Sequence, residues 1–509
     1  MSPPPFAAEV AASRAAQQPW SRLTVRDRLR PVRELRHLLV ERADDLLAAV
    51  EADVGRPPAE VLATDLLPTA AALKFLEREA ARLLAPRRVP GRLRPTWLFG
   101  CRDAVHRRPW GVVGVIGTWN YPVFLNVVQL AQALVAGNGV LWKPSEHAAR
   151  TAAVTADLVR AAGFPPDLFV TLPATREAGP LVAEAAVDHV VFTGSEAVGR
   201  RLAARLGERL IPSTLELSGC DAMFVLEDAD IGLAAKAAWF GVTLNRGQTC
   251  IAVRRVFVHR SRYAAFADAL RPLAEGAKPV PLMTPGQAEQ MDRLVEDGVK
   301  RGATAIGRAA GVSRLSERGP EQPADAGRSP VVLLDANPDM AVCREASFAP
   351  VAAVVPFDSV DEAVSLAAGC PFGLAASVFT SDPAAAEAVA ARIPAGHVTV
   401  NDVLAPTAHP ATPFGGRGSS GWGVTQGAEG LLAMATPQTV TVRRGRFRPH
   451  LDEAANPDPA TADILRGLLR ATHGRRLRDW VAGVRQLVRG IGRTARRQPA
   501  GGSPPPPAG

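Results

Sequence analysis

Trp110-Gly111-Val112-Val113-Gly114-Val115-Ile116-Gly117 is an apolar, glycine-dotted run that reads as a buried strand. It leads through Thr118-Trp119-Asn120-Tyr121-Pro122 into an apolar stretch, 123–136, that predicts a helix. Gly137-Asn138-Gly139 ends that helix, and Val140-Leu141-Trp142 reads as a second strand closing on Lys143-Pro144-Ser145-Glu146. The rhythm continues with a helix over 148–161, the turn Gly163-Phe164-Pro165-Pro166 and a strand over 168–172. A further helix then precedes Val190-Val191-Phe192-Thr193-Gly194-Ser195. Strands alternating with helical crossovers in this way predict an α/β fold built on a parallel sheet.

Working outward, residues 24–86 carry helical periodicity (Leu29, Val32, Leu35, Leu38, Leu39, then Leu46, Leu47, Val50), interrupted by Pro57-Pro58. Residues 1–20 are rich in proline and alanine and are expected to be disordered. Residues 87–95, with two prolines and four arginines, read as a surface connector. Downstream, a second α/β stretch covers about 253–408, with 301–328 expected as surface loops. A glycine-rich bend starts at Pro413-Phe414-Gly415-Gly416, and 438–442 reads as a last strand. Gly416-Arg417-Gly418-Ser419-Ser420-Gly421 matches G-x-G-x-x-G literally. It lacks the preceding apolar strand and the following helix of a dinucleotide fingerprint, and is rejected as one.

Three places invite a chemical reading. Thr193-Gly194-Ser195 lies between a buried strand and a helix start, where free amides and the helix dipole suit a phosphate; the plain alternative is an N-cap. Lys143 and Glu146 at another strand end suit a ribose, the alternative being a surface ion pair. Asn245-Arg246-Gly247-Gln248-Thr249-Cys250 sits in a polar turn ahead of Ile251-Ala252-Val253 and, past two arginines, Val256-Phe257-Val258. A cysteine at such a helix–strand seam is placed to act as a thiolate nucleophile; the alternative is a buried structural thiol.

Composition sets the outer bounds. A chain of 509 residues with 47% apolar content is long enough for at least two cores. Its five cysteines (Cys101, Cys220, Cys250, Cys343, Cys370) form no CxxC pair and no zinc-type spacing, so no metal is expected, and reduced thiols point to the cytoplasm. No signal peptide and no apolar run of membrane-spanning length is read. The net charge of +9 resides entirely in 443–509, which holds fourteen Arg, no Lys and five Asp or Glu. The body is neutral, so no nucleic-acid partner is expected. Within the tail, Leu477, Trp480, Val481, Val484, Leu487, Val488 and Ile491 share one helical face edged by Arg478, Arg485, Arg489 and Arg493. Such a helix over 464–497 suits peripheral contact with an anionic membrane or docking on a partner; folding back on the body or disorder are the alternatives. The Gly-Gly-Ser-Pro-Pro-Pro-Pro run is expected to be disordered.

Seven short motifs taken together resemble the aldehyde dehydrogenase superfamily over about 20–442. They are Trp119-Asn120-Tyr121-Pro122, Lys143-Pro144-Ser145-Glu146, Phe192-Thr193-Gly194-Ser195, Leu215-Glu216-Leu217, Gly247-Gln248-Thr249-Cys250, Phe348-Ala349-Pro350-Val351 and Pro413-Phe414-Gly415-Gly416. Val400-Asn401-Asp402 and Ala408-His409-Pro410 look most like the branch acting on fatty and aromatic aldehydes. The resemblance implies an α/β fold with a Rossmann-like NAD domain (21–217, with a bridging segment at 88–108) and a catalytic α/β domain (218–412). A return and bridging strand (413–442) and the basic amphipathic tail (443–509) complete it. It implies a homodimer or tetramer joined by the bridging elements at 99–108 and 438–442.

The same resemblance implies oxidation of an aldehyde by Cys250 through a thioester, with Asn120 on the oxyanion and Glu216 as the base that activates water. It gives cofactor binding to Lys143, Glu146, Gly194, Ser195, Trp119 and Phe348, with NAD favoured over NADP because the Glu146 carboxylate repels a 2′-phosphate. Four departures stand out. The family's usual Glu two positions before the Phe is Ala346 here, with Glu345 one residue off, and Ala349 replaces the following glycine. Leu-Glu-Leu-Gly-Gly-Lys reads Leu-Glu-Leu-Ser-Gly-Cys, with Ser218 and Cys220 changed. Gln129 stands where many members carry a Lys. The competing readings are a CoA-acylating member, which generally lacks the base, and a catalytically weak relative serving as a binding scaffold.

Overall fold

The computed structural model describes residues 4–98, 100–307, 327–444, 451 and 459–497. Phe99, most of the expected loop region (308–326) and the run 501–507 lie outside the described residues.

The opening stretch forms the centre of a six-stranded sheet. Its order is Gly421–Trp422, Ser213–Glu216, His189–Thr193, Val112–Ile116, Gly139–Lys143, Phe169–Thr171. All neighbours are parallel except Gly421–Trp422, which runs antiparallel to the strand bearing Glu216. Val112–Ile116 and Gly139–Lys143 are buried along their whole length, because helices cover both faces of a parallel sheet. A second sheet has seven strands in the order Thr304–Ile306, Val331–Leu334, Val351–Phe357, Val253–His259, Asp221–Val225, Ala375–Phe379, His397–Val400. Its apolar residues split into two clusters, one on each face. The G-x-G-x-x-G look-alike supplies the edge strand Gly421–Trp422, whose Gly421 pairs with Glu216 in the register of the sheet.

The N-terminus corrects one expectation. Residues 1–20 were expected to be disordered, yet Ala7–Arg22 is a helix with Val10, Ser13, Gln17 and Trp20 buried at helical spacing. Trp20 Nε1 donates to the Leu134 carbonyl at 2.8 Å and Gln17 Nε2 to the Gly137 carbonyl at 2.9 Å. From the next helix, Val25–Glu41, Arg28 donates to the Ala136 carbonyl at 3.3 Å. These carbonyls lie at the end of the helix Phe124–Ala136 and at its cap Gly137, where backbone acceptors run short of intrahelical donors; Leu134 also accepts from the Gly137 amide at 3.1 Å. The tertiary demand of that buried helix end, rather than local composition, orders the segment.

The chain divides into two compact units. Met1–Arg87 with Ala104–Val440 contains both large sheets, and Arg88–Asp103 with Thr441–Gly509 is the second. The strands Arg87–Arg88, Cys101–Pro109 and Ala435–Arg443 form a three-stranded sheet with Cys101–Pro109 in the middle. In the second unit Arg444 N donates to the Gly100 carbonyl at 3.0 Å and Thr441 Oγ1 to Asp103 at 2.5 Å. The same unit carries the helices Pro459–His473 and Leu477–Arg497.

Candidate active site

Asn120 follows the strand Val112–Ile116, Glu216 ends the strand Ser213–Glu216, and Cys250 precedes the strand Val253–His259. Together they line one cleft, with Thr118, Gln129, Thr193, Gly194 and Thr425 as neighbours and Leu125, Leu217, Phe348 and Phe414 as apolar walls. Residues 130 positions apart in the chain meet because both sheets turn strand ends toward the same space.

The cysteine loop is held under backbone strain. Asn245, Arg246 and Gly247 have φ of 49°, 58° and 73°, a run of left-handed residues that only glycine adopts without cost. At Gly247 a Cβ would stand 2.5 Å from the Ala349 carbonyl carbon, so the close approach also requires glycine. Arg246 is tied down by bonds to the carbonyls of Val54 (3.1 Å) and Gly55. Asn245 Nδ2 donates to the Asn120 carbonyl at 2.9 Å, which joins the loop to the segment it faces.

Asn120 is buried and its side chain is oriented at both ends. Thr118 Oγ1 donates to Asn120 Oδ1 at 2.9 Å, and Nδ2 donates to the Gln248 carbonyl at 3.0 Å, which leaves Nδ2 a second N–H. Behind it the buried Arg56–Asp65 ion pair fixes the backbone. Arg56 donates to the Asn120 carbonyl at 3.2 Å, and Asp65 accepts from the amides of Val123 (3.2 Å) and Phe124 (2.8 Å) at the start of the following helix. The Arg56 guanidinium also lies 4.5 Å from the Tyr121 ring centre, and Tyr121 Oη is 2.6 Å from Thr249 Oγ1.

Burial pushes the Cys250 thiol up to about 12, the charges of Asp221 and Glu216 add to this, and the amides of Ile251 and Cys250 pull it back. Glu216 is 5% exposed; its Oε1 accepts from Thr425 Oγ1 at 3.5 Å, and its Oε2 has no hydrogen-bond partner. Burial therefore lifts its carboxyl well above the usual range, which the Thr425 bond only partly offsets. A desolvated acid beside a desolvated thiol favours the state in which at most one of them is charged.

Arg254 was met in the sequence only as an interruption between two apolar triplets. It is 1% exposed and stitches the cysteine loop to the Phe348 segment. It donates to the carbonyls of Ser347 (2.8 Å) and Val351 (3.3 Å) and to those of Gly247 and Ala349. Burial lowers its pKa to about 10, so it stays cationic at neutral pH. Two adjacent arginines opening an apolar strand were the available signal, since a charge in a buried run needs several acceptors.

The departures resolve into local arrangements. Glu345 is not a substitute for the missing acid, because it forms an exposed ion pair with Arg293. Ala346 instead packs against the buried cluster of Cys220, Cys370 and Phe372. Two of the changed positions are thus neighbours: where the resemblance leads one to expect a glutamate and a lysine, an alanine and a thiol share an apolar contact. Gln129 Nε2 donates to Thr193 Oγ1 at 3.0 Å, and its Oε1 is left without a partner at the cleft wall.

The aldehyde dehydrogenase family matches residues 5–440. A Methylomonas protein named 4,4'-diapolycopene aldehyde oxidase is 34% identical over 445 residues, covering 86% of this chain and 81% of that protein. A Mycolicibacterium smegmatis protein whose name gives it succinate semialdehyde and NADP(+) is 34% identical over 454 residues, with coverage of 86% and 84%. The NAD+ complex of Mycobacterium tuberculosis aldehyde dehydrogenase superposes with a TM-score of 0.78 at 29% identity, over 86% of this chain and 90% of that one. The Bacillus cereus enzyme, also solved with NAD+, gives 0.78 at 30% identity, over 86% and 88%. The chain belongs to the aldehyde dehydrogenase family, and with it to the oxidoreductases.

The residues present fit a dinucleotide at its adenosine and diphosphate end. Ser195 starts the helix Glu196–Glu208 without a side-chain cap, so the first-turn amides are left to another acceptor. Lys143 and Glu146 pair at 3.0 Å. Burial raises the Glu146 carboxyl, but its own backbone amide and the Lys143 ammonium outweigh this and hold it below the ordinary value. Trp119 and Phe348 meet edge-on with ring centres 6.1 Å apart.

Proposed function

We propose that the chain oxidises a hydrophobic aldehyde, fatty or aromatic, to its carboxylic acid with NAD, through a thioester on Cys250 that water hydrolyses. The observation that carries this reading is the convergence of Asn120, Glu216 and Cys250 on one cleft. Leu125, Leu217, Phe348 and Phe414 on its walls support an apolar substrate. NAD rather than NADP follows from the Glu146 carboxylate, which is kept ionised beside Lys143 and repels a 2′-phosphate.

In this mechanism Lys143, Glu146, Gly194 and Ser195 hold the cofactor, with Trp119 and Phe348 beside them, and the bound nicotinamide supplies the hydride acceptor. Cys250, once ionised, adds through Sγ to the aldehyde carbon, and the carbonyl π pair moves to oxygen. The second N–H of Asn120 Nδ2 and the Cys250 amide stabilise that oxyanion. Collapse of the adduct re-forms the carbonyl as the C–H bond breaks with its electron pair, leaving the thioester. Glu216 then takes a proton from water, the oxygen adds to the thioester carbonyl, and the C–S bond breaks to return the thiolate. Thr118 orients Asn120, and Arg254 holds the cysteine loop against the Phe348 segment.

The cytoplasm is the proposed location, supported by five cysteines that are all unpaired. A homodimer or tetramer is the proposed assembly. The exposed strand Ala435–Arg443, at the edge of its three-stranded sheet, offers a row of backbone groups for a second subunit.

The test is NADH production by purified protein over short aliphatic, long-chain and aromatic aldehydes, with Cys250→Ala alongside. Turnover that favours the longer aldehydes and vanishes in Cys250→Ala is expected. Turnover that requires added coenzyme A would make the chain an acylating member instead. No turnover under either condition would leave the binding-scaffold reading.

A further inference from the structure

The tail hairpin closes through glycines and leaves a row of large hydrophobes exposed. Its helices, Pro459–His473 and Leu477–Arg497, approach backbone to backbone through glycine: a Cβ on Gly467 would stand 2.5 Å from the Leu487 amide, and one on Gly483 2.4 Å from the Ala471 amide. Gly490 sits equally tightly against Ile464. Gly467, Gly483 and Gly490 are accordingly buried and Ile464, Leu468, Val481, Val484 and Leu487 half-buried, whereas six other large apolar side chains point outward. Leu465, Leu469, Leu477, Trp480, Val488 and Ile491 are each 50–78% exposed. On the second helix Leu477, Trp480, Val484, Val488 and Ile491 recur at three- and four-residue spacing, so they form one stripe. A hairpin that closes through glycines and leaves six large hydrophobes outside needs an apolar partner.

The charge of the hairpin selects among partners. Residues 459–493 hold eight arginines against two aspartates, Asp463 and Asp479. Asp463 is shared between Arg466 and Arg493, leaving a strongly basic border around the apolar stripe. A second copy would bring the same basic border face to face with itself, which disfavours self-association. No described helix is long and apolar enough to cross a membrane. Arginine heads beside an outward Trp/Leu/Val/Ile stripe match instead a surface with anionic headgroups over hydrocarbon. We propose that this hairpin is a docking element that lies in the interface of an anionic lipid bilayer.

The experiment is flotation of the full chain with vesicles of equal parts phosphatidylcholine and phosphatidylglycerol, and with phosphatidylcholine alone. The parent protein is expected to float with the anionic vesicles, at least ~10-fold more than with neutral ones, and to lose that preference as salt shortens the Debye length. Trp480→Asp with Val488→Asp removes the apolar anchor, and Arg478→Gln with Arg485→Gln and Arg489→Gln removes the charge. Each set is expected to cut flotation by about tenfold or more while turnover of a soluble aldehyde stays at the parent level. The soluble assay shows that the body is folded in each variant, so loss of flotation reports the hairpin. Absence of flotation by the parent, flotation unchanged in both sets, or a fall in oligomer size by light scattering in the Trp480/Val488 variant with flotation intact would each overturn the proposal. The last result would assign the stripe to a second copy.

Discussion

Replacing Glu216 by Gln tests the site most stringently, because it has opposite effects on turnover and stability. The carboxyl is 5% exposed, receives one bond at 3.5 Å and has an oxygen with no hydrogen-bond partner. Its folded-state pKa is consequently raised well above 4.5. Below the unfolded value both states hold the proton and the group does not favour unfolding. As pH rises through 4.5 the unfolded chain releases its proton first, so folding stability declines until the folded pKa is reached. Each unit of elevation costs about 1.4 kcal/mol at pH above the folded pKa. Glu216→Gln has no charge to desolvate and escapes this loss. The variant is expected to match the parent's Tm below pH 4.5 and to exceed it increasingly as pH rises from there to the folded pKa. Catalysis moves the other way: loss of the base is expected to slow thioester hydrolysis by ~10²–10⁴, while the first turnover is retained. Stopped-flow should show a burst of NADH equal to the active sites, and intact-protein mass spectrometry an acyl group on Cys250. Thermal scans across pH supply the stability half. A Gln variant with steady-state turnover within tenfold of the parent, or a Tm difference that does not grow with pH, would refute the assignment.

Three further outcomes follow from the same geometry. Asn120→Ala should lower kcat by ~10²–10³ with little change in aldehyde KM, because its second N–H serves the oxyanion rather than the bound aldehyde; an equal fall in affinity alone would contradict this. Arg254→Met leaves the carbonyls of Gly247, Ser347, Ala349 and Val351 without their shared donor. Chemical denaturation should show a loss of about 3–5 kcal/mol, and a fall below about 1 kcal/mol would deny Arg254 its positioning role. Ala346→Glu alone introduces a carboxylate beside Cys220, Cys370 and Phe372 and should cost about 1–3 kcal/mol. Adding Cys220→Lys should recover much of that loss, giving a coupling of about 1–3 kcal/mol in a double-mutant cycle, whereas strict additivity would mean the two departures are unrelated.

Much of the fold was legible because it rests on short-range patterns. The apolar runs Val112–Ile116 and His189–Thr193 and the helix Phe124–Ala136 declare themselves by length, periodicity and flanking glycine. The sequence also carried the order of the motifs containing Asn120, Glu216 and Cys250, and with them the family. It determined, too, that the positive charge belongs to the tail and not to the body.

What the tertiary structure alone decided depends on groups whose partners lie far along the chain. The first helix is ordered by carbonyls more than 100 residues away, so its proline and alanine content misleads. Arg254 reads as an interruption until four carbonyls are seen to converge on it. Glu345, one position from where an acid is wanted, is drawn off by Arg293, while Ala346 joins Cys220 in an apolar contact. The tail's helical stripe was visible, but only packing shows that the hairpin closes through glycines and leaves six large hydrophobes outside. Sequence periodicity reports which residues share a face; burial and hydrogen-bond satisfaction, which are properties of the assembled chain, decide what that face meets.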